Sequence, residues 1–261
     1  MSINNILNSK LSALNTYAHF KCNDDAGNTV VTDDGSGSNN GVASTNTSNL
    51  SVVGKINDGF EFNGIDEYIN INDLWTDISS DITGSFSLWL FPISGITFIG
   101  FGDTDQNDFL QLQYDDSAEQ IDIYLRVSGL TLWGFQINNI TSNTWFHLVL
   151  THNGTTPALY VNGQSDSANF WSTLDKTAWL SALTGVDNGR VGCLNYNNTG
   201  NHRFFQGSID DIRYYKSILT LSDAQFLYNS GNGREDEFPV VSKILSTSLA
   251  NISKILDVSK S

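Results

Sequence analysis

Two cysteines, three prolines and thirteen basic residues are few for a chain of 261, and each scarcity removes a class of protein. Cys22 and Cys193 stand far apart, so they offer neither a disulfide framework nor a metal-ligand spacing; they read as reduced core thiols, with a single bridge as the alternative if their strands lie side by side. Lys and Arg number 13 against 28 Asp and Glu, a formal charge of -15, which argues against nucleic acid, whose phosphates need basic partners. An acidic surface follows, with loop carboxylates that could hold a cation. No apolar run approaches the roughly 18 residues of a membrane span, so no membrane insertion is expected. Residues 1–10 lack the basic head and apolar stretch of a secretory signal. Proline is scarce while glycine is frequent (22), as expected where hairpin turns are made by Asn-Gly and Asp-Gly. Six Asn-x-Ser/Thr sequons, at Asn46, Asn49, Asn139, Asn153, Asn197 and Asn251, read as chance in so asparagine-rich a chain.

Residues 145–163 carry the clearest structural signal. Phe146, Leu148 and Leu150 fall on one side of a period of two, with Trp145, His147, Val149 and Thr151 on the other. Asn153-Gly154 and Asn162-Gly163 then supply the positive φ of tight turns, so this segment is antiparallel β. Strand-like runs recur at 17–22, 59–63, 67–71, 86–91, 97–102, 109–114, 121–127, 131–136, 158–161, 189–194 and 203–215, separated by turn clusters. Many short strands with few helical patterns between them predict an all-β sandwich. Short helices are expected near the termini, over 3–14 and over 222–229, the latter capped by Ser222.

After Gly233 the character changes. Arg234-Glu235-Asp236-Glu237 reads as a charged hinge, and Val-Ser-Lys-Ile-Leu at 241–245 returns as Ile-Ser-Lys-Ile-Leu at 252–256. The chain therefore divides into an N-terminal helical segment (1–16), a sandwich (17–232) and a repeated docking or assembly tail (233–261).

Four segments, in order, resemble the laminin G-like family. Phe60-Glu61-Phe62-Asn63-Gly64-Ile65-Asp66-Glu67-Tyr68-Ile69 is similar to its early strand pair, and Phe86-Ser87-Leu88-Trp89-Leu90-Phe91 to its next strand. Residues 145–163 resemble its "W-x-H-V-A-x-T…L-Y-V-N-G" hairpin. Residues 205–215, Phe-Gln-Gly-Ser-Ile-Asp-Asp-Ile-Arg-Tyr-Tyr, look like "F-x-G-x-I-D-D-V-R-I-Y", followed by the helix that opens Leu221-Ser222-Asp223. The resemblance implies a concanavalin A-like jelly roll of two antiparallel sheets. It also implies a calcium site, with Asp33, Asp34 and Asn40 (or Asn39) from a Gly-rich loop meeting Asp210 or Asp211; oxygen donors of this kind suit a hard cation. The loop departs from the family in its Ser-Gly-Asn order. Ile209 and Ile212 flank both aspartates, so alternation does not choose between them and a bulge is expected.

Glucanases on this fold carry Glu-x-Asp-x-Glu on one strand, and glycoside hydrolysis needs two carboxylates. That pattern is missing here: Glu119 and Asp122 alternate to opposite faces, and the four histidines are scattered, His147 reading as structural. The chain is not expected to be an enzyme. Sugar recognition instead calls for loop aromatics beside amide and carboxylate groups. Trp171 and Trp179 in an irregular insertion, and Tyr196 between Asn195 and Asn197, fit that description, whereas Trp89 and Trp133 read as core. The expected partner is a glycan or cell-surface component. The tail repeat resembles short "I-x-K-V-x-G-V" segments at the ends of phage and virion proteins, which implies a virion surface and assembly or homo-oligomer contacts through the tail. The contrasting readings are a structural spacer without sugar binding and the targeting module of an extracellular glycan-degrading system.

Overall fold

A computed structural model of the protein describes residues 15–167 and 169–235, and Thr16–Glu235 form one compact unit. The helix expected over 3–14 and the repeat at 241–256 lie outside the described residues. Within them the chain builds two large antiparallel sheets and a few short helices, as a jelly roll requires.

One sheet has eight strands, in the order Gln164–Asp166, Pro157–Val161, Phe146–His152, Gly84–Gly95, Phe205–Tyr215, Asp58–Asn63 and Ser51–Val53, with Ala18–Phe20 also paired to Phe205–Tyr215. The other has nine: Asn169–Thr173, Leu130–Asn138, Gln120–Val127, Phe109–Asp115, Thr97–Gly102, Asn188–Val191, Ile69–Asn70, Gly41–Ala43 and Val30–Val31. Their inner faces meet in a single apolar cluster, with Phe60, Phe86, Leu88, Leu90, Leu148 and Leu150 from the first and Ile99, Phe101, Leu112, Ile123, Trp133 and Phe135 from the second. Alternation along each strand leaves the opposite faces for helices, loops or solvent.

The strand Phe146–His152 is buried along its whole length. Phe146, Leu148 and Leu150 enter the core, while His147 and the neighbouring Trp89 lie against Tyr228 of the helix Leu221–Tyr228, at ring distances of 6.3 and 5.7 Å. That helix is capped by Thr220 rather than Ser222: its hydroxyl accepts the Asp223 amide, and Asp223 reciprocates in a capping box. Asn162 and Gly163 both have positive φ (50° and 68°) and join Val161 to Gln164 in a two-residue turn. At the other expected turn only Gly154 is left-handed. The connection there runs to four residues, because the Asn153 side chain accepts the amides of Thr155 and Thr156. A helix at Asn72–Ile78 was not legible in the strand-rich reading; it buries Leu74, Trp75 and Ile78, and the Trp75 indole donates to the Val186 carbonyl. Cys22 and Cys193 are free and buried.

Candidate functional site

The outer face of the nine-stranded sheet gathers aromatic and polar side chains from distant parts of the chain. Along Gln120–Val127 the odd positions Ile121, Ile123 and Leu125 enter the core, so Asp122, Tyr124 and Arg126 project outward. The register carries that face across neighbouring strands: Gln113, Gln111 and Phe109 stand opposite Asp122, Tyr124 and Arg126, and Gly134 stands opposite Tyr124 on the other side.

Trp171 reaches this face through a bulge. Gly134 pairs with Ser172 and Phe135 with Phe170, so Trp171 is the extra residue between them. Its indole lies against Gly134, where a Cβ would come within 2.4 Å of the ring; no other residue type leaves that space. The indole is 49% exposed, with its edge toward Tyr124 at 5.6 Å. Tyr196 arrives from the opposite side, on the turn between Leu194–Asn195 and Asn201–His202. That hairpin folds over glycines of Thr97–Gly102: a Cβ on Gly102 would strike the Asn195 carbonyl and Tyr196. Tyr196 packs on Phe109 at 4.7 Å and on His202 at 4.9 Å, and Phe109 in turn meets Tyr124 at 5.5 Å. Trp171, Tyr124, Phe109 and Tyr196 thus form one continuous row.

Beneath the row lies a hydrogen-bonded network around Gln111, which is fully buried. Its amide donates to Thr97 at 2.6 Å, and its carbonyl accepts from the Tyr124 hydroxyl at 2.6 Å and from Arg203 at 3.1 Å. Burial raises the Tyr124 pKa, which keeps the phenol protonated as a donor. Arg203 also donates to the Tyr196 hydroxyl at 3.0 Å, and its guanidinium lies 5.5 Å from the Tyr196 ring centre. The same arginine lines a cleft of about 430 Å³ with Ile96, Gln113, Asp115 and Asp116.

Of the residues singled out in the sequence, Trp171 and Tyr196 are brought to this row. Asn195 is half-buried and contributes its main-chain carbonyl to Asn188; Asn197 is exposed and left-handed, its amide bonding the Asp103 and Gln106 carbonyls. Trp179 is elsewhere. It is 1% exposed and stacked between Trp133 and His152 at 6.2 and 4.9 Å, because residues 178–183 fold inward and bury Ala178, Leu180 and Leu183 with it. Tyr124, Phe109, Gln111, Arg126 and Arg203 were missed. The signal for the first lay in the alternation, which sets an aromatic between two charges on a strand face opposite three aliphatics.

The side chains expected to hold calcium are engaged chiefly by protein donors. The Asp33 carboxylate accepts the amides of His19, Gly35 and Asn39 at 2.7–2.8 Å, and Asn40 caps the Asp33 amide in return. Asp34 pairs with Lys21 at 2.9 Å. The strand Phe205–Tyr215 does bulge at the aspartates, with Asp211 at a φ of 51°. Asp211 is held by His19 and Arg213 at 2.7 and 2.9 Å, and Asp210 accepts the Ile56 amide. Apart from the second oxygen of Asp210, which is buried without a partner, these carboxylates accept from protein donors, and among the described residues no three His, Cys, Asp or Glu side chains converge as metal ligands.

Residues 62–225, more than half of the chain, match the laminin G profile of the concanavalin A-like lectin/glucanases superfamily. The chain belongs to this superfamily. No curated protein matches this concanavalin A-like chain in sequence. Among solved structures, it superposes on the carbohydrate-binding module CBM40 of the Ruminococcus gnavus IT-sialidase, bound to α2,3-sialyllactose, with a TM-score of 0.55 at 15% identity, over 65% of this chain and 95% of that one. Domain 4 of AbnA, a Geobacillus stearothermophilus arabinanase, in complex with arabinotriose, gives 0.54 at 20% identity over 81% and 97%. NanB sialidase from Streptococcus pneumoniae gives 0.55 at 19% identity over 64% of this chain, which spans only 27% of that enzyme. At these identities the likeness is one of fold.

The superfamily name includes glucanases, which makes the placement of Asp122 and Glu119 relevant. Asp122 accepts the amides of Gln113 and Gln120, while Glu119 sits exposed and left-handed in the turn before it. His147 is fully buried, bonded to Ser87, and burial lowers its pKa to about 3, so it is no base near neutrality.

Proposed function

We propose that this protein is a non-catalytic carbohydrate-binding module whose glycan lies across the outer face of the nine-stranded sheet, along the row from Trp171 to Tyr196. The observation that carries this reading is the row itself. Two aromatics, Trp171 from an edge strand and Tyr196 from a hairpin turn, meet Tyr124 and Phe109 on one face, beside a polar cleft lined by Arg203. An exposed indole flat on a sheet offers a sugar ring a stacking surface, and a network of oriented amide, phenol and guanidinium groups supplies its hydrogen bonds. Similar folds holding sialyllactose and arabinotriose are the reason to test sugars first. We place the module on a phage or virion surface, held through its repeated tail, on the strength of the sequence alone.

A glycan array followed by titration calorimetry tests the binding reading. A specific oligosaccharide is expected to bind, with Trp171→Ala lowering affinity at least about tenfold while leaving the melting transition in place. Silence across the array, or binding indifferent to Trp171→Ala, would favour a spacer role.

A further inference from the structure

The described residues hold five arginines, of which one, Arg213, pairs with a carboxylate among those residues. Arg213 is fully buried against Asp211. Arg190 is 8% exposed and bonded to Asn72, Asn201 and the Gly189 carbonyl, and Arg234 is bonded to Asn229 and lies over Phe226. Those two also bond only neutral oxygens, and Arg234 Nε is buried without a partner, so what sets Arg203 and Arg126 apart is their place beside the aromatic row. Arg203 donates only to neutral oxygens, those of Gln111, Tyr124 and Tyr196, and its Nε donates to no described residue. Arg126 stands opposite Phe109 on the same face, and its Nε is buried without an acceptor. Neither pairs with a carboxylate among the described residues, in a chain that carries 28 acidic side chains.

Acidic groups are near, of which Asp115 and Asp122 are turned to other donors and Asp116 is exposed to solvent. Asp115 and Asp116 line the cleft with Arg203, yet Asp115 accepts from the Ser117 amide and hydroxyl, and Asp122 accepts from Gln113 and Gln120. Both guanidiniums therefore stand without an ion-pair partner among the described residues, beside the aromatic row. Covering such a charge with a neutral ligand costs desolvation without return, whereas a carboxylate matches the guanidinium fork with two charge-assisted bonds.

The geometry points to a carboxylate-bearing glycan as the ligand, its acidic group on Arg203 and Arg126 and a neighbouring sugar ring on Trp171. This rests on the glycan-binding reading above and names its ligand class. Tyr124 couples the two halves: its ring meets Trp171 and its hydroxyl accepts from Arg203 at 3.3 Å.

Calorimetric titration of the full chain with two matched probe pairs tests it: 3′-sialyllactose against lactose, and an oligogalacturonate against its carboxyl-reduced form. At least one acidic probe is expected to bind roughly ten- to hundredfold more tightly than its neutral partner, and to weaken as salt rises. Arg203→Gln and Arg126→Gln are each expected to bring that ratio close to one, with thermal melts showing that the fold persists. Should Arg203→Gln unfold the protein, Arg126→Gln alone decides, since the buried Nε of the Arg126 side chain makes no hydrogen bond to the described residues. Equal binding of the acidic and neutral members of both pairs overturns the acidic-ligand assignment and leaves glycan binding standing. Absence of binding to all four probes and to every glycan of the array overturns both.

Discussion

Asp210 is fully buried on the outer face of the eight-stranded sheet, with one oxygen on the Ile56 amide and the other unpartnered. Burial, and then the charge of Asp211, pushes its pKa from 3.8 to about 8. The folded state thus binds an extra proton between those values, and stability falls as pH rises through that window. His147 works the other way: its pKa drops from 6.5 to about 3 on burial, so the unfolded state binds the extra proton and stability falls as pH drops below 6.5. Of these two, only Asp210 acts above pH 6.5. Asp210→Asn keeps an acceptor for Ile56 and removes the buried charge. It is expected to stabilise the protein at pH 8 by on the order of 2–4 kcal/mol more than at pH 5, read from denaturant melts at both values. An equal effect at both would mean Asp210 is ionised throughout. Asp33 makes a second residue-scale prediction. With three amides on its carboxylate, Asp33→Ala is expected to cost roughly 2–4 kcal/mol. Neither calcium nor chelator should move the melting temperature of wild type or variant, and a calcium-induced rise reversed by chelator would put a cation on these carboxylates.

At the scale of single elements, the bulged edge strand Asn169–Thr173 matters most to the site. Its register slip sets Trp171 over Gly134, where a side chain on the facing strand would strike the indole. Gly134→Val changes no group that touches ligand in the proposed complex. It is nonetheless expected to lift the indole and weaken glycan binding about tenfold, measured by calorimetry beside tryptophan fluorescence. Unchanged affinity with a displaced indole would remove Trp171 from the binding surface. The helix Leu221–Tyr228 depends on its capping box, so Thr220→Ala is expected to cost about 1 kcal/mol of stability, seen as a lower denaturation midpoint. The Asn162-Gly163 turn was readable from two residues, whereas the Thr220 cap was not: Ser222 and Thr220 are chemically equivalent, and only the backbone's point of entry into the helix separates them.

For the molecule as a whole, topology decides when the fold can form. Phe205–Tyr215, late in the chain, pairs with Gly84–Gly95, Asp58–Asn63 and Ala18–Phe20, so the eight-stranded sheet lacks its centre until the last strand is present. Both sheets share one apolar core. Thermal unfolding of residues 16–235 is therefore expected as a single calorimetric transition, and a chain ending before Phe205 is expected to show no native β signal by circular dichroism. Two separable transitions would mean the sheets hold independent cores.

Local alternation and turn chemistry, written in contiguous residues, were enough to establish an all-β sandwich and most of its strands, since a period of two and an Asn-Gly step act over a handful of positions. Tyr196 was legible as a turn aromatic for the same reason, whereas Trp171, expected in an irregular insertion, lies in the edge strand Asn169–Thr173. That Trp179 turns inward while Trp171 lies on a glycine, that Arg203 reaches Gln111 across the sheet, and that the Asp33 loop closes on its own amides were decided only in three dimensions. Each depends on register between strands distant in sequence, and on which donors arrive first at a buried oxygen. No local pattern carries that information.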